Sequence, residues 1–138
     1  MGGRMTPHQF RTRVYYEDTD LAGIVYYANY LKFIERARTE WVESLGIDQM
    51  ALRAVEGIVF AVRRIEADYL RSARFGDELV VETVLTTIGG ARLVLEQVVL
   101  RGGERIFAAV VTLVCLNEDG HAARLPAEVR ARLVGPVH

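Results

Sequence analysis

The amino-acid sequence predicts an α+β fold, in which one antiparallel sheet wraps around a single long helix. Apolar residues recur every three or four positions over residues 26–45, which is the period of a helix buried along one face. From Gly57 onward the pattern changes to alternating apolar and polar residues in successive short runs, which is typical of strands. A helix of about 20 residues is about 30 Å long, so it can run the length of a small sheet.

The first half of the chain contains one strand, one loop and two helices. The strand is expected over residues 10–16 and the loop over residues 18–25. The long helix follows over residues 26–45, and Gly46 is placed to cap its C-terminus. A second, short helix is expected over residues 48–55.

The second half is rich in strands. Three alternating runs predict strands over residues 59–69, 79–85 and 93–99. Residues 106–116 are almost all apolar, which predicts a strand buried on both faces.

Glycine pairs and a proline mark the connections in this half. Gly89-Gly90 and Gly102-Gly103 are expected to form hairpin turns between successive strands. Residues 126–133 can form a terminal helix with Pro126 at its first position, where a missing N–H is tolerated.

The amount of sheet predicts a homo-oligomer. Apolar residues on both faces of the strands exceed what one helix can cover, so a second covering surface is expected. A long exposed edge strand would also template aggregation. We therefore expect two sheets to join edge to edge in a homodimer.

Length and composition restrict the function. The chain has 138 residues, enough for a single domain over residues 1–138 with a substantial core, and its 51% apolar content argues against disorder. A net charge of −1 argues against a general nucleic-acid binder, because phosphate contacts require concentrated positive charge. No run is long enough to span a bilayer, and the N-terminus lacks the apolar stretch of a secretory signal.

Cysteine and histidine usage indicates a cytoplasmic protein without a metal or other cofactor. Cys115 is the only cysteine, so no intrachain disulfide can form and a reducing compartment fits. The three histidines, His8, His121 and His138, are far apart in sequence and none has metal-ligand spacing to another.

The most distinctive stretch covers residues 16–30, where a strand ends in two acids, passes a glycine loop and enters the long helix. A carboxylate just ahead of a helix N-terminus faces free backbone N–H groups and the positive end of the helix dipole. Such a site can polarise a carbonyl group while the carboxylate attacks it. Taken alone, however, Asp20 is more readily explained as a helix cap or an ordinary loop acid.

The residues around Asp20 resemble the signature loop of the hotdog-fold acyl-CoA thioesterases. The match is to the 4-hydroxybenzoyl-CoA thioesterase branch, and within it to the acyl-CoA thioesterases associated with the Tol–Pal system. It continues through residues 33–40 and 69–77 and covers residues 12–118. The matching loop positions are Tyr16, Asp18, Thr19, Asp20, Gly23, Val25, Asn29 and Tyr30.

The resemblance implies an activity and an assembly. It implies hydrolysis of acyl-CoA or acyl carrier protein thioesters to a carboxylic acid and the free thiol, without a metal or other cofactor. It also implies a homodimer that can pair further into a homotetramer.

The resemblance also implies roles for two site residues. The carboxylate of Asp20 would attack the thioester or activate a water molecule, and the backbone N–H of Tyr27 would bind the thioester carbonyl oxygen. The physical chemistry agrees, because a helix N-terminus supplies positive potential where negative charge develops. Carboxylates are also established nucleophiles in covalent catalysis. Asp18 is expected to shape the loop, and Asn29 to be architectural.

Three positions depart from the pattern of these thioesterases. Many Tol–Pal-type members have histidine where this chain has Tyr27, so any imidazole proton relay is absent here. Ser72 stands where proline is frequent. The hairpin that often carries a basic residue reads Gly89-Gly90-Ala91-Arg92. Arg92 is therefore a candidate contact for the phosphates of CoA, although a solvated strand-end arginine explains it equally well.

Two alternative functions compete with hydrolysis. A hotdog dehydratase requires a histidine paired with an acid, and none of the three histidines is placed for it. A non-catalytic acyl-thioester-binding or interaction module would keep the fold without needing the intact Asp20 loop.

Overall fold

The computed structural model describes residues 6–135. Residues 1–5 lie outside the described residues, and so does His138, one of the three histidines considered above. The elements in chain order are β1 (His8–Arg13), α1 (Asn29–Ser44), α2 (Gln49–Glu56), β2 (Val59–Tyr69), β3 (Glu78–Ile88), β4 (Arg92–Arg101), β5 (Glu104–Leu116) and α3 (Ala127–Val134). A short 3₁₀ turn, Tyr16–Asp18, follows β1.

The five strands form one antiparallel sheet in the order β1-β3-β4-β5-β2. The long helix α1 lies on one face and contacts β1, β3 and β4. This is the predicted α+β arrangement of one helix against one sheet. The two edge strands are β1 and β2, and β2 is the longer of the two, with 11 residues.

The core lies between α1 and the inner face of the sheet. Its helix side is the predicted apolar stripe, in which Tyr30, Ile34, Ala37 and Trp41 are all buried. Its sheet side consists of alternate residues of the three central strands, including Val81, Leu95, Val99, Val111 and Leu113. Each fully buried aliphatic side chain contributes about 1.5–3 kcal/mol relative to an exposed one.

Two polar side chains, Gln97 and Thr83, are fully buried in this core. Gln97 of β4 donates 2.9 Å hydrogen bonds to the Ile34 carbonyl oxygen and to the Thr83 hydroxyl group. Its own carbonyl oxygen accepts a 2.9 Å bond from the guanidinium group of Arg38. Because a buried amide is costly unless it is hydrogen-bonded, this network fixes the register of α1 on the sheet.

Two predicted boundaries differ from the structure. The first strand was expected over residues 10–16 but ends at Arg13, because the Asp18 carboxylate accepts the Tyr15 N–H and turns the chain. The long helix was expected from residue 26 but begins at Asn29. The Tyr26 N–H donates to the Asp18 carbonyl oxygen at 2.9 Å, which keeps Tyr26 in the loop.

The other predicted elements are confirmed within a few residues. The Asp48 carboxylate caps α2 by accepting the Ala51 N–H at 3.0 Å. Gly102 and Gly103 have φ angles of 57° and 87°, and two consecutive positive φ angles are typical of the type I′ hairpin turn. Pro126 is the N-cap of α3, one position before the first helical residue where it was expected.

The prediction that β5 is buried on both faces is wrong in part. Residues that face α1, such as Val111 and Leu113, are buried, but the outward-facing Val110 is 37% exposed. The reason is that α1 covers only one face of the sheet. The opposite face of a single chain remains partly open.

Candidate active site

The loop between β1 and α1 is organised around Asp18. This residue is buried, and its carboxylate accepts the Tyr15 N–H at 2.8 Å. Its carbonyl oxygen accepts two further bonds, from the Tyr26 N–H and from the Asn29 side-chain amide, both at 2.9 Å. Asp18 and Asn29 therefore connect the loop to the start of α1.

Asp20 is exposed at the tip of this loop, in a tight turn. Its N–H donates to the Ile24 carbonyl oxygen and its carbonyl oxygen accepts the Gly23 N–H, both at 2.9 Å. Gly23 has a φ of 81°, which a residue with a Cβ adopts only with strain. The Asp20 Oδ1 atom accepts the Ala22 N–H at 2.9 Å. The carboxylate is thus held in place by the turn and does not cap α1.

Tyr27 lies just before α1, in a turn, and not on the first helical turn as predicted. The N-cap is Ala28, and the helix begins at Asn29. The Asn29 N–H donates to the Tyr26 carbonyl oxygen at 2.8 Å, so the chain is already coiled through Tyr27. Among residues 6–135 the Tyr27 N–H donates to no acceptor. It is therefore a free donor close to the positive end of the helix dipole.

Three aromatic rings pack below this turn. Tyr30 stacks on Phe107 with the ring centres 5.0 Å apart, and Tyr69 meets both rings edge-on. The Tyr30 hydroxyl group accepts the Ala73 N–H at 3.0 Å. Burial raises the pKa values of Tyr30 and Tyr69, so both phenols stay protonated at neutral pH.

A cavity of about 250 Å³ opens beside the turn, where β2 ends. It lies between the Asp20 loop, the start of α1 and the segment after β2. Its lining residues are Ile24, Val25, Tyr27, Tyr30, Tyr69, Leu70, Arg71 and Ser72. The cavity thus brings an unpaired backbone N–H and a mainly apolar wall next to the loop that carries Asp20.

Arg92 is not brought to this cavity within one chain. It begins β4 and pairs with Val114, whereas Arg101, at the other end of β4, contacts the Ser72 carbonyl oxygen at 2.8 Å. Ten strand residues span about 30 Å, so Arg92 lies at the opposite end of the sheet from Tyr27. Glu35, an acid of α1, is not among the residues that line the cavity, and its carboxylate accepts the Thr39 hydroxyl at 3.0 Å.

Sequence reasoning did not assign roles to Tyr69, Arg71 and Arg74, which the structure places beside the loop. Tyr69 donates to the Tyr27 carbonyl oxygen at 3.1 Å, and the backbone of Arg74 forms an antiparallel bridge with that of Ile24. The resemblance over residues 69–77 indicated that this segment is part of the thioesterase pattern. It did not indicate which residues the segment contacts.

Three further features of the described residues bear on the function. Residues 6–135 contain no group of three or more histidine, cysteine or acidic side chains arranged to hold a metal ion. In the same part of the chain, no helix is long and apolar enough to cross a membrane. The Cys115 thiol is buried, and burial raises its pKa to about 11.

Comparisons with known proteins identify similar chains. Residues 14–133 match the thioesterase-like superfamily. The acyl-CoA thioesterase YbgC of Haemophilus influenzae is 40% identical over 123 residues, which are 88% of this chain and 90% of that protein. The acyl-CoA thioester hydrolase YbgC of Escherichia coli O6:H1 is 39% identical over 113 residues, covering 81% and 84% of the two chains.

A similar fold occurs among solved structures. The crystal structure of a probable thioesterase from Bartonella henselae has a TM-score of 0.84 and 38% identity, covering 88% of this chain and 100% of that one. These similarities confirm the resemblance noted from the sequence and the hotdog fold that it implies.

Proposed function

The chain belongs to the thioesterase-like superfamily, and we propose that it hydrolyses acyl-CoA thioesters to a carboxylic acid and free CoA. The observation that carries this proposal is the arrangement of Asp20 and Tyr27 around one loop. The Asp20 carboxylate is exposed and fixed by its turn, while the Tyr27 N–H has no acceptor among the described residues. Relatives about 40% identical over most of the chain are named acyl-CoA thioesterases.

In the proposed reaction, the thioester carbonyl oxygen accepts a hydrogen bond from the Tyr27 N–H. This donor stabilises the negative charge that develops on the oxygen as the carbonyl carbon is attacked. A thioester carbonyl has little resonance stabilisation and a good leaving group, so a carboxylate is sufficiently reactive. The donor belongs to the main chain, so the phenol of Tyr27 is not required for this step.

Asp20 can act by two routes. As a nucleophile, its carboxylate oxygen bonds to the carbonyl carbon, the carbon–sulfur bond breaks, and the CoA thiolate leaves and takes a proton from solvent. Water then hydrolyses the resulting anhydride and restores the carboxylate. As a general base, Asp20 takes a proton from a water molecule whose oxygen attacks the same carbon. The carbon–sulfur bond then breaks, and the leaving CoA thiolate takes the proton from Asp20. Both routes consume one water molecule and give the same products.

An assay with purified protein tests the proposal. Acyl-CoAs of different chain length are mixed with the protein and a thiol-reactive dye, with the Asp20→Asn variant as the blank. Release of free CoA that depends on Asp20 supports hydrolysis. An enoyl product would indicate the dehydratase alternative. Tight binding of acyl-CoA without either product would indicate the non-catalytic module, and both outcomes contradict our proposal.

We also propose a homodimer formed through the β2 edge. Among residues 6–135 no strand pairs with the outer side of β2, and Val59, Val62 and Tyr69 of this strand are 37%, 45% and 48% exposed. An edge of this length is normally covered in a native protein. The half-open outer face of the sheet, with Val110, offers a second surface on which two dimers pair into a homotetramer. A monomer by light scattering at micromolar concentration would contradict this.

In this proposed assembly, Arg92 can contact the substrate only in the cavity of a neighbouring subunit. Because Arg92 lies at the opposite end of β4 from the cavity, any contact that it makes with CoA phosphates comes from a neighbouring subunit.

We further propose that the protein acts in the cytoplasm, in association with the Tol–Pal system and on CoA or acyl carrier protein thioesters. The single unpaired Cys115 and the resemblance described above support this, and cell fractionation tests the location.

A further inference from the structure

We propose that Arg71 and Arg74 bind phosphate groups of the CoA carrier. The inference rests on the proposed thioesterase function. The pantetheine arm separates the phosphates of CoA from its thioester. Phosphate contacts are therefore expected on the rim of the cavity and not beside the Tyr27 N–H. Arg92 cannot supply them within one chain, whereas Arg71 lines the cavity and the backbone of Arg74 pairs with that of Ile24, which also lines it.

Arg71 is positioned at the mouth of the cavity, where its guanidinium group donates to the Leu70 carbonyl oxygen at 3.1 Å and forms one exposed ion pair. It lines the cavity with Tyr27 and Ser72. Its Nε atom lies 3.3 Å from the Glu104 carboxylate, and the two side chains are 66% and 48% exposed. Exposed ion pairs of this kind contribute about 0–1 kcal/mol. A phosphate group, which guanidinium groups bind in bidentate fashion, can compete successfully for Arg71.

Arg74 is held by its backbone, while its side chain is free. Its N–H donates to the Asp77 carboxylate at 2.9 Å, and its backbone forms the bridge with Ile24 of the Asp20 loop. The residue is exposed, and within residues 6–135 its guanidinium group makes no ion pair or hydrogen bond. The backbone of Arg74 is therefore fixed while its exposed guanidinium group is free to bind an anionic ligand.

Three arginines and two carboxylates lie along this segment, and Arg101 pairs with both of the acids. Its guanidinium group donates to Asp77 at 3.0 Å and to Glu104 at 3.2 Å. It also donates to the Ser72 carbonyl oxygen at 2.8 Å, so it supports the segment and is fully engaged. With both acids bound to Arg101, the charges of Arg71 and Arg74 are available to a ligand.

The test compares two thioesters that carry the same acyl group. One is the acyl-CoA, and the other is the N-acetylcysteamine thioester, which has no phosphate. For Arg71→Ala and Arg74→Ala, the KM for acyl-CoA should rise about tenfold each, the size expected when a charge-assisted hydrogen bond is lost. The kcat should change less than about twofold, and kinetics with the phosphate-free thioester should not change. Both side chains are exposed, so folding should be unaffected.

Controls separate a phosphate contact from a general effect. Arg53→Ala removes an exposed arginine of α2, away from the cavity, and should leave both KM values unchanged. In the wild-type protein the KM for acyl-CoA should increase with salt, and this dependence should weaken in the double variant. Arg71→Lys should recover part of the loss. An unchanged KM for acyl-CoA in the double variant would overturn the inference, as would an equal loss with the phosphate-free thioester.

Binding of free CoA, measured by calorimetry, tests the phosphate contacts independently of catalysis. The wild type should bind CoA more tightly than pantetheine, and the double variant should lose this difference. If neither thioester is hydrolysed by the wild type but CoA binding still depends on Arg71 and Arg74, the proposed function fails and the phosphate site stands. If turnover is normal but CoA and pantetheine bind equally to the wild type, the phosphate site fails and the function stands.

Discussion

The Tyr69 hydroxyl group donates a 3.1 Å hydrogen bond to the carbonyl oxygen of Tyr27, and so joins the end of β2 to the turn before α1. The two residues are 42 positions apart in sequence. The bond holds the peptide group that follows the proposed carbonyl-binding N–H. The position of that donor is therefore set by the sheet as well as by the loop.

Removing this bond should slow turnover modestly. Tyr69→Phe keeps the ring contacts with Tyr30 and Phe107 but removes the donor to Tyr27. A hydrogen bond of this type contributes about 0.5–1.5 kcal/mol, so we expect kcat to fall about 2- to 10-fold, with little change in thermal stability. Steady-state kinetics measure the effect, and Tyr15→Phe, on an exposed side chain, is the control. An unchanged kcat would show that the bond does not position the turn.

The hydrogen-bond donor to the thioester carbonyl oxygen should be the backbone N–H of Tyr27 and not its phenol hydroxyl group. Tyr27→Phe leaves the N–H in place and should retain most of kcat. Replacing Tyr27 by its α-hydroxy acid analogue puts an ester where the amide was and removes the donor. Loss of one such donor from an acyl-transfer site typically costs about 2.7–4 kcal/mol, so turnover should slow about 100-fold or more. Because this N–H has no acceptor among the described residues, the fold should persist.

The same replacement at Ala28 is the matched control. It removes the neighbouring N–H and should have a much smaller effect on kcat. If the Ala28 ester slows turnover and the Tyr27 ester does not, the donor has been assigned to the wrong residue. If Tyr27→Phe abolishes turnover while folding and binding persist, the phenol is the operative group.

Much of the fold could be predicted because periodic burial is a local property of sequence. The stripe of Tyr30, Ile34, Ala37 and Trp41 identified α1, and alternation identified three of the five strands. The start of α1 was predicted three residues early, because the bond between the Tyr26 N–H and the Asp18 carbonyl oxygen is a contact across the loop. Local propensity does not report such contacts.

The site was predictable only where its residues are contiguous. Asp18, Asp20 and Tyr27 fall in one segment, so their proximity follows from the sequence. Tyr69 and Arg71 reach the same cavity through the pairing of β2 with β5, which no local pattern specifies. Arg92 was considered because of its chemistry, and the direction of β4 places it at the far end of the sheet.

The buried Gln97 should contribute strongly to stability. Gln97→Leu removes the acceptor of the half-buried Arg38 guanidinium group and the partner of Thr83. The Arg38 guanidinium group is partly buried, and this burial lowers its pKa because it takes the charge out of water. We expect the free energy of unfolding to fall by about 3 kcal/mol, since hydrogen bonds to charged groups contribute about 1.5–3 kcal/mol and an unpaired buried group adds a penalty.

Urea denaturation measures this loss. The exposed Gln9, which donates to Glu82, provides the control, and Gln9→Leu should change stability by less than about 0.5 kcal/mol. Adding Arg38→Met to Gln97→Leu should restore part of the stability, because the unpaired charge is then gone. Equal effects of the two leucine variants would refute a special role for the buried network.

Cys115 should make stability depend on pH in the alkaline range. Burial raises the pKa of its thiol from 9.0 to about 11. Between these values the unfolded thiol is ionised and the folded thiol is not, so the native state binds more protons. Stability is then fully present below about pH 9 and falls as the pH rises toward 11, by about 3 kcal/mol in total.

The contribution of Cys115 is isolated by comparison with Cys115→Ala. The difference in free energy of unfolding between the two proteins should be constant below pH 9 and shrink or reverse by about pH 10.5. Urea unfolding across this range measures it. Parallel pH profiles for the two proteins would show that the thiol is not shifted.

The comparison of Asp20→Asn with Asp18→Asn tests the central proposal most directly. The two acids lie in the same loop, but Asp20 is exposed with one bond to the Ala22 N–H, while Asp18 is buried and holds the Tyr15 N–H. Both proteins are assayed for kcat with one acyl-CoA and for binding of the same ligand. Asp20→Asn should fold and bind normally yet lose at least about 100-fold in kcat, the loss expected for an acid–base group. Asp18→Asn should lose mainly stability and keep most of kcat in the folded fraction. Equal and mild effects of the two substitutions on kcat would contradict the assignment of Asp20 as the reacting carboxylate.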